Sequence, residues 1–142
     1  MAVSKPILNI EGSGKSVEYG NGSRAEIVVG GPESGGEYAV VRYRVVSGDE
    51  PQLHTHSKED EMVFVVEGEL TAYVGDARVD VSAGAFAALP RGVPHTIRVK
   101  GNSATLILTL VPAGLERFFV PESDRDADPA TFGLELHGLP PA

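Results

Sequence analysis

The stretch 51-PQLHTHSKEDEMVFVVEGEL-70 decides how this chain is read. It sets His54 and His56 one residue apart, follows them with the charged run Lys58, Glu59, Asp60 and Glu61, and then runs straight into the apolar segment Met62–Val66. Charge set against a buried strand is costly unless it is paired, hydrogen-bonded or bound to a metal. In an extended strand residues two apart share a face, so His54 and His56 point the same way. Two imidazoles on one face beside a carboxylate are a ligand set for a divalent ion. On local spacing alone, a pair of satisfied histidines is the more ordinary reading.

Working outward, short runs rich in Val, Ala and Leu alternate with turn sequences such as GGPESGG, SGDEP, SAG, PRGVP and KGN. The 17 Gly and 10 Pro are spread along the whole chain. This punctuation predicts an all-β sandwich or barrel, with strands near 24–29, 38–46, 62–66, 70–74, 77–81, 85–89, 95–99 and 105–111. Glu67-Gly68 and Gly75-Asp76 are candidate two-residue hairpin loops. Because Met62–Val66 is apolar at every position, both of its faces are expected to be covered, one by the barrel interior and the other by a helix, a second sheet or a partner subunit. Near the C-terminus, DPATFGLELHG has the signature of a short helix capped by Asp128 with Pro129 at its first position.

Composition narrows the chemistry. At 142 residues the expectation is one domain spanning 1–142. There is no cysteine, so a transition metal must be held by nitrogen and oxygen. The net charge of -8 argues against nucleic acid and against anionic membrane as partners. MAVSKPILNI lacks the layout of a signal peptide and no run of 18 apolar residues occurs, so a cytoplasmic protein is expected. GSGKS at Gly12–Ser16 imitates the end of a phosphate-binding loop, but Asn9 stands where that pattern needs its first glycine, and VEYGNG after it reads as a turn.

A second stretch, Gly84–Val99, carries His95 after a Pro/Gly turn. Gly48 is followed after five residues by His54-Thr55-His56, after four more by Glu61 and after six more by Gly68. Gly84, Pro90, Gly92 and His95 then recur at the spacing G-x5-P-x-G-x2-H. These segments, 48–68 and 84–99, resemble the two signature motifs of the cupin superfamily. The fifteen residues between them resemble its compact members, of quercetin-dioxygenase-like and polyketide-cyclase-like kind. Val99 departs from the asparagine usual at the end of the second motif.

The resemblance implies a jelly-roll barrel of antiparallel strands, with the short helical segment read above falling in the C-terminal extension 121–142. It also implies a divalent transition metal (Fe, Mn, Ni, Co, Cu or Zn) held by His54, His56, Glu61 and His95. Three neutral imidazoles and one carboxylate leave a net charge of +1 with open coordination positions. On this reading the chain is an enzyme on a small organic substrate, and Glu61 also takes a substrate proton. Dioxygenase chemistry is set slightly ahead of redox-neutral cyclase or isomerase chemistry, with a non-catalytic small-ligand-binding cupin as the third possibility. A homodimer is expected, as is common among small cupins. Six residues between Glu61 and Gly68 favour Glu61 over Asp60 as the carboxylate ligand, and Glu59 and Asp60 are assigned to a solvated rim. His137 is read as a surface residue. Arg42 and Arg44 are read as a solvated face, and the small Ala85, Ala87 and Ala88 as room for an organic ligand.

Overall fold

The computed structural model describes residues 5–20, 22–119 and 129–140. Eleven strands are described: β1 (Lys15–Tyr19), β2 (Ser23–Val29), β3 (Ala39–Val46), β4 (His54–His56), β5 (Asp60–Glu67), β6 (Glu69–Val74), β7 (Ala77–Ser82), β8 (Phe86–Leu89), β9 (His95–Val99), β10 (Ser103–Val111) and β11 (Leu134–Leu136). One four-residue helix, α1 (Gly31–Ser34), and 3-10 turns at Leu115–Phe118 and Pro129–Phe132 complete the described elements. The strands form two antiparallel sheets, ordered β1-β2-β3-β10-β5-β8 and β11-β4-β9-β6-β7, in a jelly roll.

The alternation of β10 shows why the sheets face each other. Ala104, Leu106, Leu108 and Leu110 are buried, while the residues between them are only half-buried. Ala104, Leu106 and Leu108 pack with Val17, Ala25, Val41, Val45 and Val65 of their own sheet and with Leu70 of the other, while Leu110 packs with Ala39 and Leu115. Burying a leucine side chain contributes roughly 2–3 kcal/mol, so this one strand is a major source of cohesion.

Several expectations need correction. Glu67-Gly68 is not a hairpin loop, because β5 pairs with β10 and β8 while β6 lies in the other sheet between β7 and β9. The chain turns a corner there. Gly68 has φ +95°, and a Cβ on it would stand 2.7 Å from the Ser103 carbonyl oxygen, so only glycine fits beneath β10. Gly75-Asp76 does join paired strands, with Val74 opposite Ala77. Val17–Tyr19, the start of the supposed turn, belong to the strand Lys15–Tyr19, with Val17 buried against Ala25. The C-terminal helix is reduced to the 3-10 turn Pro129–Phe132. Gly133 at φ +74° ends it, and Leu134–Leu136 pairs with β4 instead. The proposed cap, Asp128, lies outside the described residues. The outer face of β5 is not covered by any described element: Phe64, opposite Phe86, is 40 % exposed, Phe86 is 64 % exposed and Val66 46 %.

GSGKS proves to be a cradle for the protein's own carboxylate. The Gly12 and Gly14 N–H groups donate to the buried Glu26 carboxylate at 3.0 and 2.6 Å, and Arg42 Nη1 pairs with it at 2.6 Å. Arg42 is thereby committed to a structural ion pair, whereas Arg44 is exposed and donates to the Gly22 carbonyl. Burial alone would raise the Glu26 carboxyl, but the two amides and the guanidinium hold it below its ordinary 4.5. A lowered carboxyl stabilises the fold above its unfolded pKa and ceases to do so as pH falls through its folded pKa. Glu26→Gln is therefore expected to lose about 1–3 kcal/mol at neutral pH. Urea unfolding at pH 7 and below pH 4 checks this, and the gap from wild type should narrow in acid.

Candidate metal centre

The two motifs meet through backbone pairing. His54 stands directly opposite His95 in the β4–β9 pair, and His56 follows two residues along β4 on the same side. Glu61 comes from the other sheet, near the start of β5, in a row with Leu110 and Leu89. The loop before β9 is fastened to the first motif. Gly92 N–H donates to the His56 carbonyl at 2.7 Å, and Arg91 places both its backbone N–H (3.0 Å) and its Nε (3.1 Å) on Asp60 Oδ1. Asp60 is thus a rim residue, as read from the sequence. Glu59 is not: it is 3 % exposed, with Oε1 3.4 Å from His56 Nδ1. Its position just before β5 turns it inward under His56.

One ligand atom from each of His54, His56 and His95 can be chosen so that all lie within 4.8 Å of one another. The ring centroids are 4.4–4.9 Å apart. The Nδ1 of His54 faces the Gln52 carbonyl at 2.6 Å and that of His95 faces the Val93 carbonyl at 3.1 Å. A ring that donates Nδ1–H to a carbonyl keeps its Nε2 lone pair for another partner. Glu61 Oε2 stands 2.8 Å from His95 Nε2 and 3.5 Å from His56 Nε2. These atoms are nevertheless badly placed for hydrogen bonds, and both His56 nitrogens, Glu61 Oε2 and Glu59 Oε1 are buried without a partner. Of these, His56 Nε2 and Glu61 Oε2 face each other beside His95 Nε2, an arrangement that a cation would satisfy. The donor set therefore fits a divalent transition metal.

The electrostatics agree. Burial, then the neighbouring His95, pushes His54 down to about 4, so it is neutral at pH 7 and its lone pair is available. Burial alone would raise Glu61, but contact with His95 and the field of the three rings bring it below the usual carboxylate range. The Glu61 contact raises His95 despite its burial. His137 lies exposed outside the cluster, with Nε2 against the Thr55 hydroxyl.

The centre opens on a cavity of about 540 Å³ between the sheets. Ala85 and Ala87 line it, as the small side chains suggested; Ala88 is exposed instead. Leu134 and Leu136 of β11 also line it, which brings the C-terminal segment from the surface to the site. Tyr43 is on the wall, whereas Tyr38 and Tyr73 are not among the lining residues. Among the described residues no Lys or Arg lines the cavity, and no helix is long and apolar enough to cross a membrane.

A family model described as the cupin domain matches residues 41–112, which contain all four predicted ligands. The chain belongs to the cupin family. Quercetin 2,3-dioxygenase of Bacillus subtilis (strain 168) is 26 % identical over 102 residues. That match covers 72 % of this chain but only 30 % of the Bacillus protein, so the chain spans less than a third of that relative. In structure, an RmlC-like cupin from Shewanella frigidimarina NCIMB 400 superposes with a TM-score of 0.67 at 22 % identity, covering 82 % of this chain and 99 % of that one. The polyketide cyclase RemF from Streptomyces resistomycificus gives 0.64 at 17 % identity, covering 75 % and 80 %. At these identities the two structures share the cupin fold with this chain. A metal bound by folded cupin and not by unfolded chain raises the melting point, by about 2.7 kcal/mol of stability at a hundredfold excess over Kd. Adding Zn(II) or Co(II) in a thermal-shift experiment is expected to stabilise wild type and His137→Ala, but not His95→Ala.

Proposed function

We propose that this cupin is a metal-dependent enzyme of dioxygenase type acting on a small, mostly apolar organic molecule that carries an ionisable hydroxyl or enol. The observation that carries this reading is the cavity itself. One end holds three imidazoles and Glu61, while Val63, Val65, Ala72, Leu106 and Leu108 form apolar walls. With no Lys or Arg among the described lining residues, a phosphorylated or strongly anionic sugar would find no counter-charge. The volume suits a molecule of drug-like size. The Bacillus dioxygenase supports the same direction through its sequence likeness.

In this reading His54, His56, His95 and Glu61 hold the metal, which is one of Fe, Mn, Ni, Co, Cu or Zn. When bound it supplies Lewis acidity and, if redox-active, the one-electron chemistry that oxygen needs. The chain's own groups do the rest. The His54 and His95 rings are fixed before substrate arrives by the Gln52 and Val93 carbonyls. Glu61, ionised and turned into the cavity, accepts the substrate hydroxyl proton at a carboxylate oxygen. The apolar walls exclude water from the resulting anion. Tyr43 stands opposite Leu106, four residues along β10 from the Leu110 that faces Glu61, a span of roughly 13 Å. Burial, then the charges of Tyr19, Asp49 and Glu50, raises the Tyr43 phenol, so it stays a neutral donor for a second polar group on an elongated substrate.

A second copy of the chain closing over Phe64, Val66 and Phe86 accords with their exposure, and a self-associating sheet face gives a two-fold dimer. Sedimentation equilibrium is expected to return twice the 14.9 kDa chain mass; a monomer at micromolar concentration contradicts the dimer. For the activity, the metal-loaded protein is expected to consume oxygen in step with loss of a polyphenolic or enolic aromatic substrate. Glu61→Gln should slow this by at least about a hundredfold, the range for a lost general base. Turnover undiminished without oxygen would instead make it a redox-neutral cyclase or isomerase. Tight binding with no turnover would make it a binding protein.

A further inference from the structure

Among the described residues, three buried carboxylates outside the Glu61 position serve different ends. Glu26 accepts the Gly12 and Gly14 amides, and Glu116 accepts the Gly31 and Gly114 amides. Both are explained as loop cradles. Glu59 has no such amides. Its Oε1 is buried without a hydrogen-bond partner, and the atom it faces is His56 Nδ1, itself buried and unpartnered, at 3.4 Å. The Arg91 guanidinium feels the Glu59 charge, but its hydrogen bonds go to Asp60.

The other two rings explain what is missing at His56. His54 and His95 each rest Nδ1 on the carbonyl of the residue two before them, Gln52 and Val93. For His56 the equivalent residue is His54, whose backbone is engaged in the ladders to β9 on one side and β11 on the other. Glu59 occupies the place that a carbonyl takes at the other two rings. Its side chain and that of His56 are only 3 % and 4 % exposed, so bulk solvent does not reach the pair.

We infer that Glu59 is a positioning residue that holds the His56 ring with its proton on Nδ1 and its Nε2 lone pair turned toward the metal position, and that its charge completes the neutralisation of the centre. The inference rests on the metal reading above. A carboxylate behind a ligating imidazole fixes its tautomer and orientation and raises its basicity, at a typical cost of 10–100-fold in metal affinity when removed. Charge counting agrees. Three neutral imidazoles, the Glu61 carboxylate and a divalent ion sum to +1, and the buried Glu59 carboxylate brings this to zero in a low-dielectric interior. The 3.4 Å gap needs to close by about half an ångström to reach a normal charge-assisted hydrogen bond.

Cobalt(II) titration of the metal-free protein, followed by its visible absorption, tests this. Wild type is expected to bind one Co(II). Glu59→Gln, which can still accept the Nδ1–H but lacks the charge, should bind about tenfold more weakly, and Glu59→Ala about a hundredfold more weakly. In long-range 1H–15N spectra of the metal-free protein, His56 should carry its proton on Nδ1 in wild type and in Glu59→Gln, and should lose that preference in Glu59→Ala. A merely structural role would not move the tautomer. If Glu59→Ala does not fold, the isosteric Glu59→Gln carries the affinity test alone. Wild-type protein that fails to take up Co(II) overturns the metal reading and this inference with it. Wild-type binding with both Glu59 variants within threefold of it, and His56 unchanged in tautomer, overturns this inference alone.

Discussion

The constraint on which the structure turns is the gathering of three imidazoles, two of them buried and one half-buried, and two buried carboxylates within a few ångströms of one another. Such a cluster has to be held in place from outside and satisfied from within. The holding is done by the backbone: β4 pairs with β9, the turn before β9 is tied to Asp60 and to the His56 carbonyl, and the Gln52 and Val93 carbonyls take the outward ring nitrogens of His54 and His95. Of what remains unpaired, His56 Nε2 and Glu61 Oε2 face each other. A fold that leaves them buried and unpartnered forgoes free energy that a bound cation would restore.

The rest of the barrel serves that arrangement. The alternating residues of β10 build the floor of the cavity, and Gly68 lets the chain pass from one sheet to the other so that Glu61 approaches the histidines from the opposite side. Because the polar groups are gathered at the centre and the walls are aliphatic, selectivity for a substrate would come from shape and from one or two oxygen atoms placed correctly, not from charge. That distinguishes this cavity from sites built to grip phosphate.

Much of this was legible in the sequence because it depends on short-range patterns. Strands β2, β3 and β5 to β10 follow from runs of apolar residues bounded by Gly and Pro, and the candidate ligand positions follow from two motifs with fixed spacing. What escaped was set by tertiary context. Glu67-Gly68 has the composition of a hairpin loop, but nothing local reveals that the strands on either side enter different sheets. Leu134–Leu136 alternates like a strand over only three residues, too short to outweigh the helix signal of Asp128-Pro129, and its partner β4 is nearly eighty residues away. Glu59 sits in a run of charged residues that reads as solvated. Only its position three residues after His56 hints that one of the run would turn inward.

Whether the histidine cluster is a metal centre is decided by the atoms around the bound ion. X-ray absorption spectroscopy on the protein loaded with a single transition metal reads that shell. Three imidazole nitrogens at about 2.0–2.1 Å, with their outer-ring scattering, and one carboxylate oxygen at about 2.0–2.2 Å are expected. A shell of oxygen atoms with no imidazole scattering would contradict it.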